Sequence, residues 1–143
     1  MKCWTIQTVE GWNQAQANGF LKGNPECVWP DCMQSYGWMM GQMKKRIPRY
    51  EGGFPVWLWT KRPDLRCNGK LPKGERGVLL EVQLDEDEVL ISDFQAWHIV
   101  WERIFDYVEL RRYEYWSGKE DLQAVAGMIR MEKIKLLTAF TAR

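Results

Sequence analysis

The sequence predicts an α+β fold in a single domain, 1–143, with a mainly antiparallel sheet and about three helices. Three observations carry this. Strand-like and helix-like periodicities are interspersed along the chain without the strand–helix–strand rhythm of a parallel sheet. The chain has 143 residues, close to one domain, and its 45% hydrophobic content is ample for one core. Turn and stop signals at Gly19, Gly23-Asn24-Pro25, Pro48 and the acidic run Asp85 to Glu88 separate the elements.

Lys2 to Thr8 alternates Cys3, Thr5 and Gln7 with Trp4, Ile6 and Thr8, the pattern of a half-buried strand. Thr8 then caps a helix over about Val9 to Asn18, with Val9, Trp12 and Ala15 on its inner face and Gly19 as its left-handed stop. Phe20 and Leu21 are expected to pack back over that turn. In the second helix Met33, Tyr36, Met40, Met43 and Ile47 recur at helical spacing. Pro30 suits its first turn and Pro48 ends it. The methionine stripe reads as adaptable core.

Phe54 to Thr60 reads as a strand, with Pro55 near its start or on an edge and with Trp57 and Trp59 on one face. A long loop, Lys61 to Gly77, carries Arg62, Asp64, Arg66 and Lys70. Two strands, Gly77 to Leu84 and Val89 to Ile91, flank the acidic turn. Ser92 and Gln95 form a capping box, which predicts a third helix with Phe94, Trp97, Trp101, Ile104, Phe105 and Val108 on its apolar side. Leu122 to Met131 fits strand or helix by pattern. The β-rich run Ile134 to Thr141 favours a final strand pair, so strands are expected in both segments.

The net charge of +1 conceals two opposed segments. Lys44 to Arg76 carries a local +7, and Glu81 to Asp121 a local −8. Either the two neutralise each other across the fold, or both are solvated faces, or the basic segment forms a rim for phosphate. Overall balance argues against a general nucleic-acid binder and for a small anionic or nucleotide ligand. No apolar run reaches the roughly 18 residues of a membrane span. The start of the chain does not read as a signal peptide, so a cytoplasmic protein is expected. Cys3, Cys27, Cys32 and Cys67 read as free thiols, because their spacing is not that of a zinc site and His98 is the only histidine.

The chemistry-bearing candidates are few. Nine tryptophans in 143 residues exceed what a core alone calls for and point to a pocket that stacks a planar ligand. His98 is either an edge-of-core residue or a general base, with Asp93 nearby in sequence as its acid or as part of the helix cap. Phosphate-loop, dinucleotide, zinc-protease and nucleophile-elbow motifs are all missing from the sequence.

Trp4-Thr5-Ile6-Gln7, Tyr36-Gly37-Trp38-Met39, Trp57-Leu58-Trp59, Pro63-Asp64-Leu65-Arg66, Ser92-Asp93-Phe94, Trp97-His98, Trp101 to Phe105 and Gln123-Ala124 follow one another in an order that resembles an uncharacterised bacterial and phage family, domain of unknown function 3841. The resemblance spans nearly the whole chain and implies no particular activity. A more distant resemblance is to the ADP-ribosyltransferase-like fold. It implies NAD as cofactor, Thr5 and Gln7 facing the nicotinamide, Tyr36 or Trp38 stacking on it, and Arg62 or Arg66 on pyrophosphate. Gln123 matches the first position of that fold's Gln-x-Glu element, but Val125 stands where the catalytic glutamate belongs. Two functions are therefore expected. One is NAD-like nucleotide-dependent group transfer in a pocket lined by Tyr36, Trp38, Trp57 and Trp59, with His98, Asp93 and Gln123 as the catalytic candidates. The other is a non-catalytic phage or mobile-element accessory protein that binds a nucleotide or blocks a host protein.

Overall fold

The computed structural model describes residues 1–25, 33–66, 71–93 and 122–143. In chain order the elements are β1 (Lys2–Thr8), α1 (Val9–Asn18), β2 (Phe20–Leu21), α2 (Met33–Arg46), β3 (Val56–Trp59), β4 (Arg76–Gln83), β5 (Val89–Asp93), β6 (Leu122–Ala126), β7 (Ile129–Arg130) and β8 (Ile134–Thr141). Six strands form one sheet in the order β5-β6-β3-β1-β4-β8, and β2 pairs with β7 in a second, two-stranded sheet. Every strand pair is antiparallel, which bears out the α+β class with a mainly antiparallel sheet. No helix among the described residues is long and apolar enough to cross a membrane.

The local signals at the start of the chain act as expected. The Thr8 side chain accepts from the Gly11 N–H at 3.0 Å, which satisfies one orphan donor of α1. Gly19 sits at φ 85°, where a Cβ would be strained, and its N–H returns to the Ala15 carbonyl at 2.9 Å. Phe20 and Leu21 do more than fold back over that turn. They pair with Arg130 and Ile129, joining the two ends of the described chain.

Directly opposed residues of an antiparallel ladder share a face, so the register divides the sheet cleanly. On one side lie Cys3, Val56, Leu58, Val78, Leu80, Val82, Ala124 and Ala126, packed with Trp12 and Ala15 of α1. On the other lie Val125, Trp57 and Leu90, packed with Met39, Met43 and Ile47. Helices α1 and α2 thus cover opposite faces. Each fully buried aliphatic side chain contributes about 1.5–3 kcal/mol, and Leu58, Leu80 and Val82 are all at 0% exposure.

Two expectations need correcting. Ser92 does not cap a helix: β5 continues through Asp93, with Ser92 opposite Gln123 and Asp93 opposite Leu122. The ladder hydrogen bonds available from β6 outweigh a local capping box there. Gln95 and the rest of the expected third helix lie outside the described residues, among which there are two α-helices. The strand expected from Phe54 begins at Val56, because Pro55 has no N–H to give a ladder. The C-terminal segment is built of strands, as expected, but Ile134 to Thr141 pairs with the earlier β4. That ladder shifts register between Leu79 and Leu80, whose partners are Thr138 and Leu136, so Leu137 forms a bulge in β8.

Candidate functional site

The α2 face gathers most of the described aromatic residues. Met39, Met43, Ile47 and Val125 form its buried floor, and Tyr36, Trp38, Met40, Tyr50, Trp57 and Leu90 surround it half-buried. The Tyr36 ring stacks on Phe54 at 6.1 Å and meets Trp57 edge-on at 6.4 Å. The Trp57 indole donates from Nε1 to the Tyr36 hydroxyl at 3.3 Å, which fixes both rings.

A row of residues crosses the sheet on this face. Trp4 in β1 is opposite Trp59 in β3, Trp59 is opposite Gln123 in β6, and Gln123 is opposite Ser92 in β5. In the other direction Trp4 is opposite Glu81, and Glu81 is opposite Lys135. Paired positions of this kind lie about 4.5–5.5 Å apart at Cβ. The Trp4 Nε1 is buried and has no hydrogen-bond acceptor among the described residues. An indole donor usually finds a partner when buried, so this atom stands out.

The candidate residues fall into three groups. Tyr36, Trp38 and Trp57 come together on the α2 face, which Trp59 and the backbone position of Gln123 share by register. Thr5 and Gln7 lie on the opposite face, with their ladder partners Leu80 and Val78 in the α1 core. Thr5 is 2% exposed and accepts from Gln7 Nε2 at 3.0 Å. The sheet therefore separates this pair from Tyr36 and Trp38. Arg66 and Arg62 form the third group, in the exposed loop after β3. The Arg66 guanidinium forks onto its neighbour Asp64, with Nε to Oδ1 at 3.1 Å and Nη2 to Oδ2 at 3.0 Å. Its backbone N–H also donates to Asp64 Oδ1, at 2.9 Å. Asp93 and Gln123 occupy the same end of the β5–β6 ladder, one step apart in register. His98, Cys27, Cys32 and Cys67 lie outside the described residues.

Cys3 is buried and free, and burial pushes its thiol pKa up, away from thiolate reactivity.

An ion cluster on the rim of the fold was not anticipated as a unit. Arg49, after α2, donates from Nε to Asp87 at 2.9 Å and from Nη2 to Asp85 at 3.0 Å. It also lies 3.8 Å from Glu88, which Lys133 engages from the other side. Hydrogen bonding to Arg49 holds the Asp87 carboxyl below its ordinary pKa, and the two aspartates raise that of Arg49. The cluster borders a cleft of about 290 Å³ that also includes Tyr50, Gly127, Arg130 and Glu132. The Tyr50 hydroxyl donates to the Gly53 carbonyl at 2.5 Å, and desolvation raises its pKa. Asp85, Asp87 and Glu88 bring carboxylate oxygens within 4.8 Å of one another, a spacing that suits a cation. Arg49 and Lys133 already supply that positive charge, so the cluster works as a clasp between the segment after α2 and the turn before β5. The sequence signal was the opposition of basic and acidic segments, and here its neutralising reading is realised.

Of the fragments whose order suggested a family, Trp4 to Gln7, Trp57 to Trp59 and Gln123-Ala124 lie in the six-stranded sheet. The family model described as a domain of unknown function (DUF3841) matches residues 2–128. The chain belongs to that family. The match runs from β1 through β6, so it takes in Trp4, α2, Trp57, Trp59 and Gln123. No curated protein and no solved structure matches the chain.

Proposed function

We propose that this DUF3841 protein binds a planar anionic ligand of the nucleotide class, with NAD as the first candidate, on the α2 face of its sheet. The observation that carries this is the gathering of Tyr36, Trp38, Trp57 and Trp59 on one face, half-buried, with Trp4 beside Trp59 in the ladder. Half-buried rings over a methionine floor offer stacking area and can repack around a ligand. Phosphate would find its charge in the neighbouring basic segment, where Arg62 and Lys61 are exposed. Arg66 is committed to Asp64 and would have to leave that carboxylate to serve.

Binding is the centre of the proposal, and group transfer is a second reading that one observation favours. Gln123 is in register with Trp59, so the residue that answers to the first position of the ADP-ribosyltransferase element lies at the aromatic row. Asp93 is opposite Leu122, one step from Gln123, and so falls by register on the α1 face. Thr5 and Gln7 play no part, because they are on the other face.

The test is a titration of the purified protein with NAD, AMP and GMP, followed by tryptophan fluorescence and melting temperature. Quenching and a raised melting temperature are expected, with Trp59→Leu weakening affinity about tenfold or more while the fold is kept. If millimolar nucleotide moves neither signal, the proposal fails.

A further inference from the structure

We propose that the indole N–H of Trp4 is the atom with which the site reads its ligand, donating to an in-plane nitrogen or carbonyl oxygen of a heteroaromatic base. The inference rests on the nucleotide-binding reading and adds to it a residue that sets specificity. Trp4 is the one residue among those described whose buried side-chain polar atom has no partner. Native interiors rarely leave such a donor unmade, and where one persists it calls for an explanation. Here the position explains it. Trp4 sits in the middle of the row, with Trp59 on one side and Glu81 on the other.

Glu81 is the charged acceptor beside it in the ladder, yet that carboxylate serves Lys2, 3.6 Å away. The indole is thus left as a donor in a setting that offers aromatic area but no acceptor. The free protein carries the cost of the unmade hydrogen bond, and a base recovers it once the half-buried rings repack to let its acceptor reach the enclosed Nε1. A stacked ring that lacks such an acceptor gains only area. Discrimination of this kind exceeds what apolar contact provides, because the penalty for a wrong ligand is a donor that stays unpaired.

Trp4→Phe keeps an aromatic ring in the row and removes only the donor and part of the ring area. The experiment compares AMP with ribose 5-phosphate, which has the phosphate and sugar but no base, on wild type and Trp4→Phe. Wild type is expected to prefer AMP, and Trp4→Phe to lose about tenfold in AMP affinity while binding ribose 5-phosphate as before. Its melting temperature should equal or exceed that of wild type, since an orphan donor has gone. In parallel, the indole ¹⁵N–¹H resonance of Trp4 in the wild-type protein should move downfield on addition of AMP, a readout that does not depend on the variant folding. If AMP binds wild type and Trp4→Phe equally, or the Trp4 resonance stays fixed while AMP binds, the role of Trp4 is overturned and nucleotide binding stands. If AMP fails to bind wild type, both fall together.

Discussion

The two faces of the central sheet are built from different materials. Under α1 the contacts are made by Cys3, Leu58, Leu80, Val82, Ala124 and Ala126, small or aliphatic groups with almost no exposure. Under α2 the buried floor is Met39, Met43, Ile47 and Val125, ringed by half-exposed tyrosine and tryptophan. Branched aliphatics have few rotamers and pack into a fixed shape, whereas methionine and partly exposed aromatics can adjust. The first face therefore holds the fold. The second leaves aromatic area half-exposed and, at Trp4, one hydrogen bond unmade, and the proposed ligand site lies there.

The sharpest way to break this comparison is to truncate one residue on each face. Leu80→Ala or Leu58→Ala opens a cavity under α1 and should cost about 2–5 kcal/mol, read as a lower urea midpoint. Trp59→Leu on the other face should cost less, since part of that ring is exposed in the native state. Equal losses would mean that the α2 face is as rigidly packed as the α1 face and has no special claim to a ligand.

A milder substitution sharpens the same contrast. Met43→Leu keeps volume in an adaptable setting and should cost under about 1.5 kcal/mol. Thr8→Ala lies outside both faces and tests the hinge between β1 and α1, where loss of the cap to the Gly11 N–H should cost about 1 kcal/mol. The Thr8 change should leave nucleotide affinity unaltered.

The sequence made the α1 face legible because its signals are local. Thr8, Gly19 and the alternation of Lys2 to Thr8 each act within a few residues, and the structure honours all three. On the aromatic face Tyr36, Trp38, Trp57 and Trp59 were legible as a group, but not the residues of β1 that share their side. Which of Thr5 or Trp4 faces Tyr36 depends on strand order, and the register of β1 with β3 and β4 is a long-range fact. Ser92 shows the opposite failure, where a strong local cap signal yields to a ladder with β6 that no neighbouring residue announces. Arg49 shows a third. Its charge was visible, but its partners are about 36 to 38 positions away, and the sequence offered many acids with which to pair it.

The smallest expected effect belongs to that clasp, which touches neither face directly. Arg49, Asp85 and Asp87 are solvent-exposed, so ion pairing there is screened and adds little in ordinary salt. Its signature is a pH dependence. Arg49 lowers the Asp87 pKa in the folded protein, so the stabilisation is present above the ordinary carboxylate pKa and is lost as pH falls through the depressed folded value. Arg49→Met should accordingly melt slightly below wild type at neutral pH, and the two should converge as the solution is acidified through the carboxylate range. Added salt at neutral pH should bring them together as well. A gap that persists in acid or in high salt would show that Arg49 acts by packing its aliphatic stem along the cleft beside Tyr50, and the clasp would then be a contact between side-chain surfaces with the charges incidental.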